Sequence, residues 1–237
     1  MSREGRVDDG REEALLDFVR KHAALGDVDA TIEAIDRFCY ERAVMMNVGD
    51  EKGLILDRAV ARAGAQSALE LGTYCGYSAL RIIRAAGAAA RLCSIERSPA
   101  NAAIARAIID HAGRSEQVTV LEGSLEDRGA TISRLQVECG LAPGCLDFLF
   151  IDHDKAAYVS DLERILQLGW LRRGAIVLAD NIRVPGAPAY RSYMRASEGV
   201  QFATIERRAH LEYQTLIRDL MLESEYLGER EGPRGGD

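Results

Sequence analysis

No run of apolar residues in this sequence approaches the ~20 that a membrane-spanning helix needs. The first residues, MSREGRVDDGREE, are polar and charged and lack the apolar centre of a signal peptide. Both absences lead us to expect a soluble, cytoplasmic protein with no membrane partner. Also missing are Lys/Arg clusters long enough to line a phosphate backbone, and the formal charge of -7 repels one. Nucleic acid is therefore excluded as the main partner, whereas a cation or a neutral or cationic small molecule fits. Cysteine is sparse: Cys39, Cys75, Cys93, Cys139 and Cys145 are odd in number and form no C-x-x-C pair. That spacing reads as reduced thiols, neither a disulfide frame nor a zinc site. Repeats at solenoid spacing and Pro/Ser-rich linkers are absent too, so residues 1–237 read as one domain. Only 1–10 and 228–237, rich in Gly and charge, are expected to be loose.

What is present is a change of period along the chain. Leu15, Leu16, Phe18 and Val19 begin an amphipathic helical pattern that continues through Ile32, Ile35 and Phe38. A third helix is expected to follow, with Asp50 as its N-cap and Gly64 at its end. Short apolar runs of strand length then appear at 67–72, 91–96, 117–123, 145–152 and 175–180, each gap long enough for a helix. Strands apolar on both faces, alternating with helices, predict a parallel sheet with right-handed crossovers. Segments 200–206 and 211–217 are expected to close it as an antiparallel pair. The predicted fold is α/β: a doubly wound, mostly parallel, seven-stranded Rossmann-like sheet with extra N-terminal helices. Such sheets bind ligands at the carboxyl ends of their strands, near the point where strand order reverses.

The strand ends are therefore where chemistry is sought. The first runs out in Glu70-Leu71-Gly72-Thr73-Tyr74-Cys75-Gly76, with Ser78 in the following helical turn. Glycines there let backbone approach a ligand, and a helix N-terminus favours negative charge. The second ends at Glu96, about 20 residues after Gly76, a place suited to accepting hydrogen bonds from ribose hydroxyls. Bulky Tyr74 interrupts the glycine spacing that a pyrophosphate needs, so a nucleoside cofactor without phosphates fits better. The fourth strand ends in Asp152-His153-Asp154-Lys155 and the fifth in Asp180-Asn181. An Asp at a strand end is often only a helix cap. Asp152, Asp180 and Asn181 on neighbouring strands, however, make a hard-oxygen set suited to Mg²⁺.

These segments, taken in order, resemble the catechol O-methyltransferases over nearly the whole chain. The resemblance rests on Met46-Asn47-Val48-Gly49-Asp50 with Lys52-Gly53, on Leu69-Glu70-Leu71-Gly72, on Tyr74-Cys75-Gly76-Tyr77-Ser78 and on Ile95-Glu96. It continues through Asp152-His153 with Lys155, Leu178-Ala179-Asp180-Asn181, Pro185-Gly186-Ala187-Pro188 and Leu211-Glu212-Tyr213. It implies Mg²⁺-dependent transfer of a methyl group from S-adenosylmethionine to a hydroxyl of a catechol or polyphenol. Val48, Gly72 and Ser78 would surround the methionine part, Tyr74 the sulfonium, Glu96 the ribose, and His153 with the Gly123–Glu126 turn the adenine. Glu70, Ile95, Ser124 and Asp152 complete the implied cofactor contacts. Asp152, Asp180 and Asn181 would hold Mg²⁺, Lys155 would act as general base, and Glu212 would accept from the hydroxyl left unmethylated. Met46, Lys155, Asn181, Pro185 and Glu212 would face the acceptor. The chain departs from the family pattern at the acceptor mouth, where Val44 and Asp154 replace tryptophans, and at Glu126 and Arg97. Two other readings stand beside this one: a nicotinamide-dependent dehydrogenase, and a cofactor-binding protein without turnover.

Overall fold

A computed structural model of the chain describes residues 9–228. The expectation that both ends are loose falls outside the described residues, save that Gly10 caps the first helix and Gly228 closes the described chain. Helices α1 (Arg11–His22), α2 (Val28–Glu41) and α3 (Gly49–Ala63) precede the sheet. The alternating part runs β1 (Ser67–Leu71), α4 (Tyr77–Ala86), β2 (Arg91–Glu96), α5 (Pro99–His111), β3 (Val118–Glu122), α6 (Ala130–Glu138), β4 (Leu146–Ile151), α7 (Tyr158–Gln167) and β5 (Leu171–Ala179). A π-helical turn (Ile182–Gly186), α8 (Pro188–Ala196) and the strands β6 (Phe202–His210) and β7 (Arg218–Tyr226) follow. Among the described residues no helix is long and apolar enough to cross a membrane.

The helix starts follow capping chemistry. Asp27 accepts from the Ala30 amide at 2.9 Å to start α2, and Ser98 accepts from Asn101 at 3.3 Å to start α5, with Pro99 just inside. Asp50 does not cap α3; the helix begins at Gly49, and Asp50 lies in its first turn, where Tyr40 donates to its carboxylate at 2.7 Å.

The seven strands lie in the order β3-β2-β1-β4-β5-β7-β6, with β1 to β5 parallel and β7 antiparallel to both of its neighbours. Both faces are covered. Along β4, Phe148 and Phe150 pack under the side that carries α1 to α5, while Leu149 and Ile151 pack with Tyr158, Leu162 and Trp170 on the other. This double burial is why the strands read as continuous apolar runs, each such side chain contributing about 1.5–3 kcal/mol. Strand order reverses between β1 and β4, and the ends of β1, β4 and β5 are in step. The Asp152 amide donates to Leu71 at 2.9 Å, and the Asp180 amide donates to Ile151 at 3.0 Å.

Two further expectations are corrected. The predicted strand 211–217 is the connection between β6 and β7; the last strand is 218–226, paired from His210↔Arg218 to Phe202↔Tyr226. Leu211, Leu216 and Ile217 gave that connection a strand-like apolar content, whereas buried Asp219 and Glu223 masked the true strand. The cysteines are not all thiols: Cys93 on β2 and Cys139 at the end of α6 form a disulfide, with Cα atoms 6.4 Å apart. The two are 46 residues apart in sequence and are brought together only by the fold, so local spacing could not reveal them. Cys39, Cys75 and Cys145 are free.

Candidate active site

A cavity of about 810 Å³ opens where β1, β2, β4 and β5 run out, at the switch in strand order. At its floor Gly72 has φ 100°, and a Cβ there would run into the carbonyl of Asp152 on the neighbouring strand. Tyr74, also left-handed at φ 48°, donates its amide to Glu96 Oε2 at 2.8 Å, and the Ser98 amide donates to Oε1 at 2.8 Å. The carboxylate is thus fixed by two backbone groups while each oxygen keeps accepting capacity toward the cavity. The Tyr74 hydroxyl donates to Glu12 of α1 at 2.7 Å, which ties the N-terminal helix to this wall.

Ile95, Ser124, Glu126 and His153 line the same end of the cavity. His153 shares a 2.8 Å hydrogen bond through Nε2 with Asp161 and stacks on Tyr158 at 5.3 Å. Val48, Glu70 and Ser78 are buried beside the cavity and do not line it. Burial pushes the Glu70 carboxyl up to about 8, against hydroxyls of Ser78 and Ser94 that favour its charged form.

The other end is walled by Val44, Met46, Val184, Pro185 and Leu211, with Asp152, Asp154, Lys155, Asn181 and Glu212 among them. Lys155 Nζ donates to Asp152 Oδ1 at 2.9 Å and to the Tyr158 hydroxyl at 2.7 Å. Asp154 is exposed and accepts from the Ala156 amide at 3.0 Å. Trp170 lies wholly in the core behind β4 and takes no part in the mouth.

Asp180 is fully buried. Its Oδ1 accepts from Lys52 at 2.8 Å and from the Asn181 amide at 2.6 Å, while Oδ2 has no hydrogen-bond partner among the described residues. Burial pushes this carboxyl up to about 7; Lys52 pulls it down, and Asp152 and Glu212 push it up. The Asn181 side chain donates through Nδ2 to Glu212 at 3.0 Å and to Asp219 at 3.3 Å. Oxygens of Asp180, Glu212 and Asp219 lie within 4.8 Å of one another, a spacing that could hold a metal ion. The Lys52 ammonium already fills that space: it donates to all three, at 2.8 Å to Asp180, at 3.0 Å to Asp219, and to Glu212. A dication there would face a buried cation, so that space is closed to a metal ion while Lys52 occupies it.

The comparisons with known proteins fit this geometry. The O-methyltransferase family model matches residues 26–202. A probable O-methyltransferase of Mycobacterium tuberculosis (strain ATCC 25618 / H37Rv) is 55% identical over 224 residues, covering 94% of this chain and 95% of that one. The chain belongs to the O-methyltransferase family. It is an S-adenosylmethionine-dependent enzyme of that class, and the nicotinamide alternative is set aside. Catechol O-methyltransferase B of Danio rerio is 42% identical over 218 residues, covering 92% of this chain and 80% of that one. An O-methyltransferase from Bacillus cereus, solved in complex with SAH, shares the fold at a TM-score of 0.65 and 23% identity, covering 84% of this chain and 90% of that one.

Sequence reasoning gave no role to four residues of this methyltransferase site: Glu12, Lys52, Asp161 and Asp219. Lys52 had a signal, because it stands on one helical face with Leu56, Val60 and Ala63, all buried. A lysine at an apolar position of an amphipathic helix implies a buried anion partner. Asp219 had none, since its strand was not recognised.

Proposed function

We propose that this enzyme transfers the methyl group of S-adenosylmethionine to one hydroxyl of a catechol-like small molecule, with Mg²⁺ held by Asp152, Asp180 and Asn181. The observation that carries the reading is the donor set at the ends of β4 and β5. Asp180 keeps an oxygen, Oδ2, with no hydrogen-bond partner among the described residues, Asn181 turns its nitrogen toward Glu212 and Asp219, and Asp152 and Asn181 line the cavity. Two carboxylates and an amide oxygen are the hard donors that Mg²⁺ takes. Mg²⁺ bound there lowers the roughly 4 kcal/mol that ionising a phenol of pKa ~10 costs at pH 7.

The remaining work falls to the chain's own side chains. Glu96, fixed by two amides, accepts from the ribose hydroxyls, while Ile95, Ser124 and His153 bracket the adenine. Gly72 faces the methionine part, with Val48, Glu70 and Ser78 packed behind that wall of the cavity. Tyr74 stands over the sulfonium. Lys155 Nζ, beside the metal ligand, takes the proton of the hydroxyl to be methylated once it has released its own. Glu212 accepts from the second hydroxyl. Met46 and Pro185 press on the ring so that oxygen and methyl carbon stay in line, which is where proximity contributes most. The family relationship to catechol O-methyltransferases supports the acceptor class.

The test is product formation from a catechol with Mg²⁺ and with excess chelator, for the parent and for Asp180→Ala. Turnover should vanish in chelator and in the variant, while S-adenosylmethionine affinity by calorimetry changes less than about twofold. Undiminished turnover in chelator would sink the metal reading.

A further inference from the structure

Asp219 lies beneath the candidate metal ligands, and both of its oxygens are already used. Oδ1 accepts from the amides of Arg183 at 3.2 Å and Val184 at 3.0 Å; Oδ2 accepts from Lys52 at 3.0 Å and Asn181 Nδ2 at 3.3 Å. Its side chain is wholly buried. With two donors on each oxygen it has no capacity left for an ion.

Those bonds determine which atom Asn181 presents. Its side-chain amide has a donor end and an acceptor end, and the donor end meets two carboxylates, Glu212 and Asp219. Turning the amide over would set its oxygen against both, so the assignment is dictated by charge. Asn181 lines the cavity, and Oδ1 is the end left to face it. A left-handed backbone at φ 54° places the residue, and the turn that follows hangs from Asp219 through two amides. Lys52 completes the arrangement. Its three N–H donors match three carboxylates, so it pairs with Asp219 in the interior and engages Asp180 through Oδ1.

We propose that Asp219, with Lys52 as its counter-ion, is the positioning residue of the metal site, orienting Asn181 so that Oδ1 faces the cation. The inference rests on the reading of Asp180 and Asn181 as metal ligands and goes beyond it, because it assigns the residue that selects the ligating atom.

Mn²⁺ titrated into the cofactor-saturated protein, with free ion followed by electron paramagnetic resonance, gives a readout independent of turnover. Asp219→Asn replaces one acceptor oxygen with a donor, so either Asn181 Nδ2 and Lys52 or the amides of Arg183 and Val184 lose their acceptor. It should weaken Mn²⁺ ten- to hundredfold, the range typical of partners behind a metal ligand. S-adenosylmethionine affinity should change less than about twofold. A merely structural role for Asp219 would instead weaken S-adenosylmethionine along with Mn²⁺ in this variant. The unmodified protein supplies a measurement that needs no variant to fold: the Asn181 side-chain NH₂ should be protected from solvent exchange with and without Mg²⁺. Rapid exchange, or equal Mn²⁺ affinity in parent and Asp219→Asn, would overturn the inference alone. Failure of the parent to bind Mn²⁺ would overturn the metal reading and this inference with it.

Discussion

Two carboxyls near the cofactor end, both at strand ends in the sequence, are treated oppositely by the fold. Glu96 receives two backbone amides and faces the cavity, whereas Glu70 is fully buried against the hydroxyls of Ser78 and Ser94. Burial holds Glu70 up at about 8 against an ordinary 4.5. Below about pH 4.5 folded and unfolded chains both carry the proton, and the group is neutral in each. Between there and about 8 the folded chain keeps a proton that the unfolded chain releases, so unfolding is favoured progressively as pH rises. Stability linked to Glu70 is therefore fully present below about pH 4.5 and lost as pH climbs through the folded value. Glu70→Gln, which cannot titrate, should gain on the parent between about pH 5 and pH 8.5 in urea denaturation. A constant difference between the two proteins across that range would show that Glu70 titrates normally.

At the scale of elements, the end of the cavity proposed to take the acceptor is built from three connections: the one before α3 with Val44 and Met46, the one after β4 with Asp154, and the one between β6 and β7 with Leu211 and Glu212. Its walls are aliphatic on one side and carry an exposed carboxylate on the other. A tryptophan at either place would add a flat contact, with aromatic pairing contributing ~0.5–1.5 kcal/mol beyond area burial. Since ~1.4 kcal/mol is a tenfold product ratio, losing such a contact is enough to erase the choice between adjacent hydroxyls. We expect an asymmetric catechol to give both mono-methylated products in comparable amounts, and Asp154→Trp to bias the ratio severalfold. Near-exclusive formation of one product by the parent, unchanged in the variant, would refute the loose-wall account.

The parallel strands and the helices between them were legible because β1, β4 and β5 are buried on both faces and leave short, mostly apolar runs. The last hairpin was not legible, because its inner strand carries Asp219 and Glu223, charges that only distant partners make tolerable. Glu223 meets Arg62 and Arg207, and Asp219 meets Lys52. The same cause hid part of the site. Of the residues named from the strand ends, Gly72, Tyr74, Glu96, Asp152, His153, Lys155 and Asn181 line one cavity while Glu70, Ser78 and Asp180 are buried behind it. What holds Asp180 and Asn181 comes from a helix some 130 residues upstream and a strand some 40 downstream of Asp180.

For the molecule as a whole, one buried ammonium joins α3, the end of β5, the β6–β7 connection and β7 itself. Burial disfavours the Lys52 cation, but Asp180, Glu212 and Asp219 more than reverse this and raise its pKa above the ordinary lysine value. Replacing Lys52 with methionine preserves length and apolar stem yet leaves three carboxylates around an uncharged tip. Breaking a buried ion pair from one side typically costs about 3–5 kcal/mol, a large share of a domain's net stability. Lys52→Met should therefore unfold at markedly lower temperature than the parent near pH 7. The deficit should shrink as pH falls, because the orphaned carboxylates can then take up protons. Mg²⁺ should raise the melting temperature of the variant more than that of the parent, since a dication replaces part of the missing charge and binds only the folded chain. Scanning calorimetry of both proteins at about pH 5 and pH 7.5, with and without Mg²⁺, checks all three. If the variant melts with the parent at every pH, the three carboxylates are not held by Lys52, and the buried network does not tie the last hairpin to the first helices.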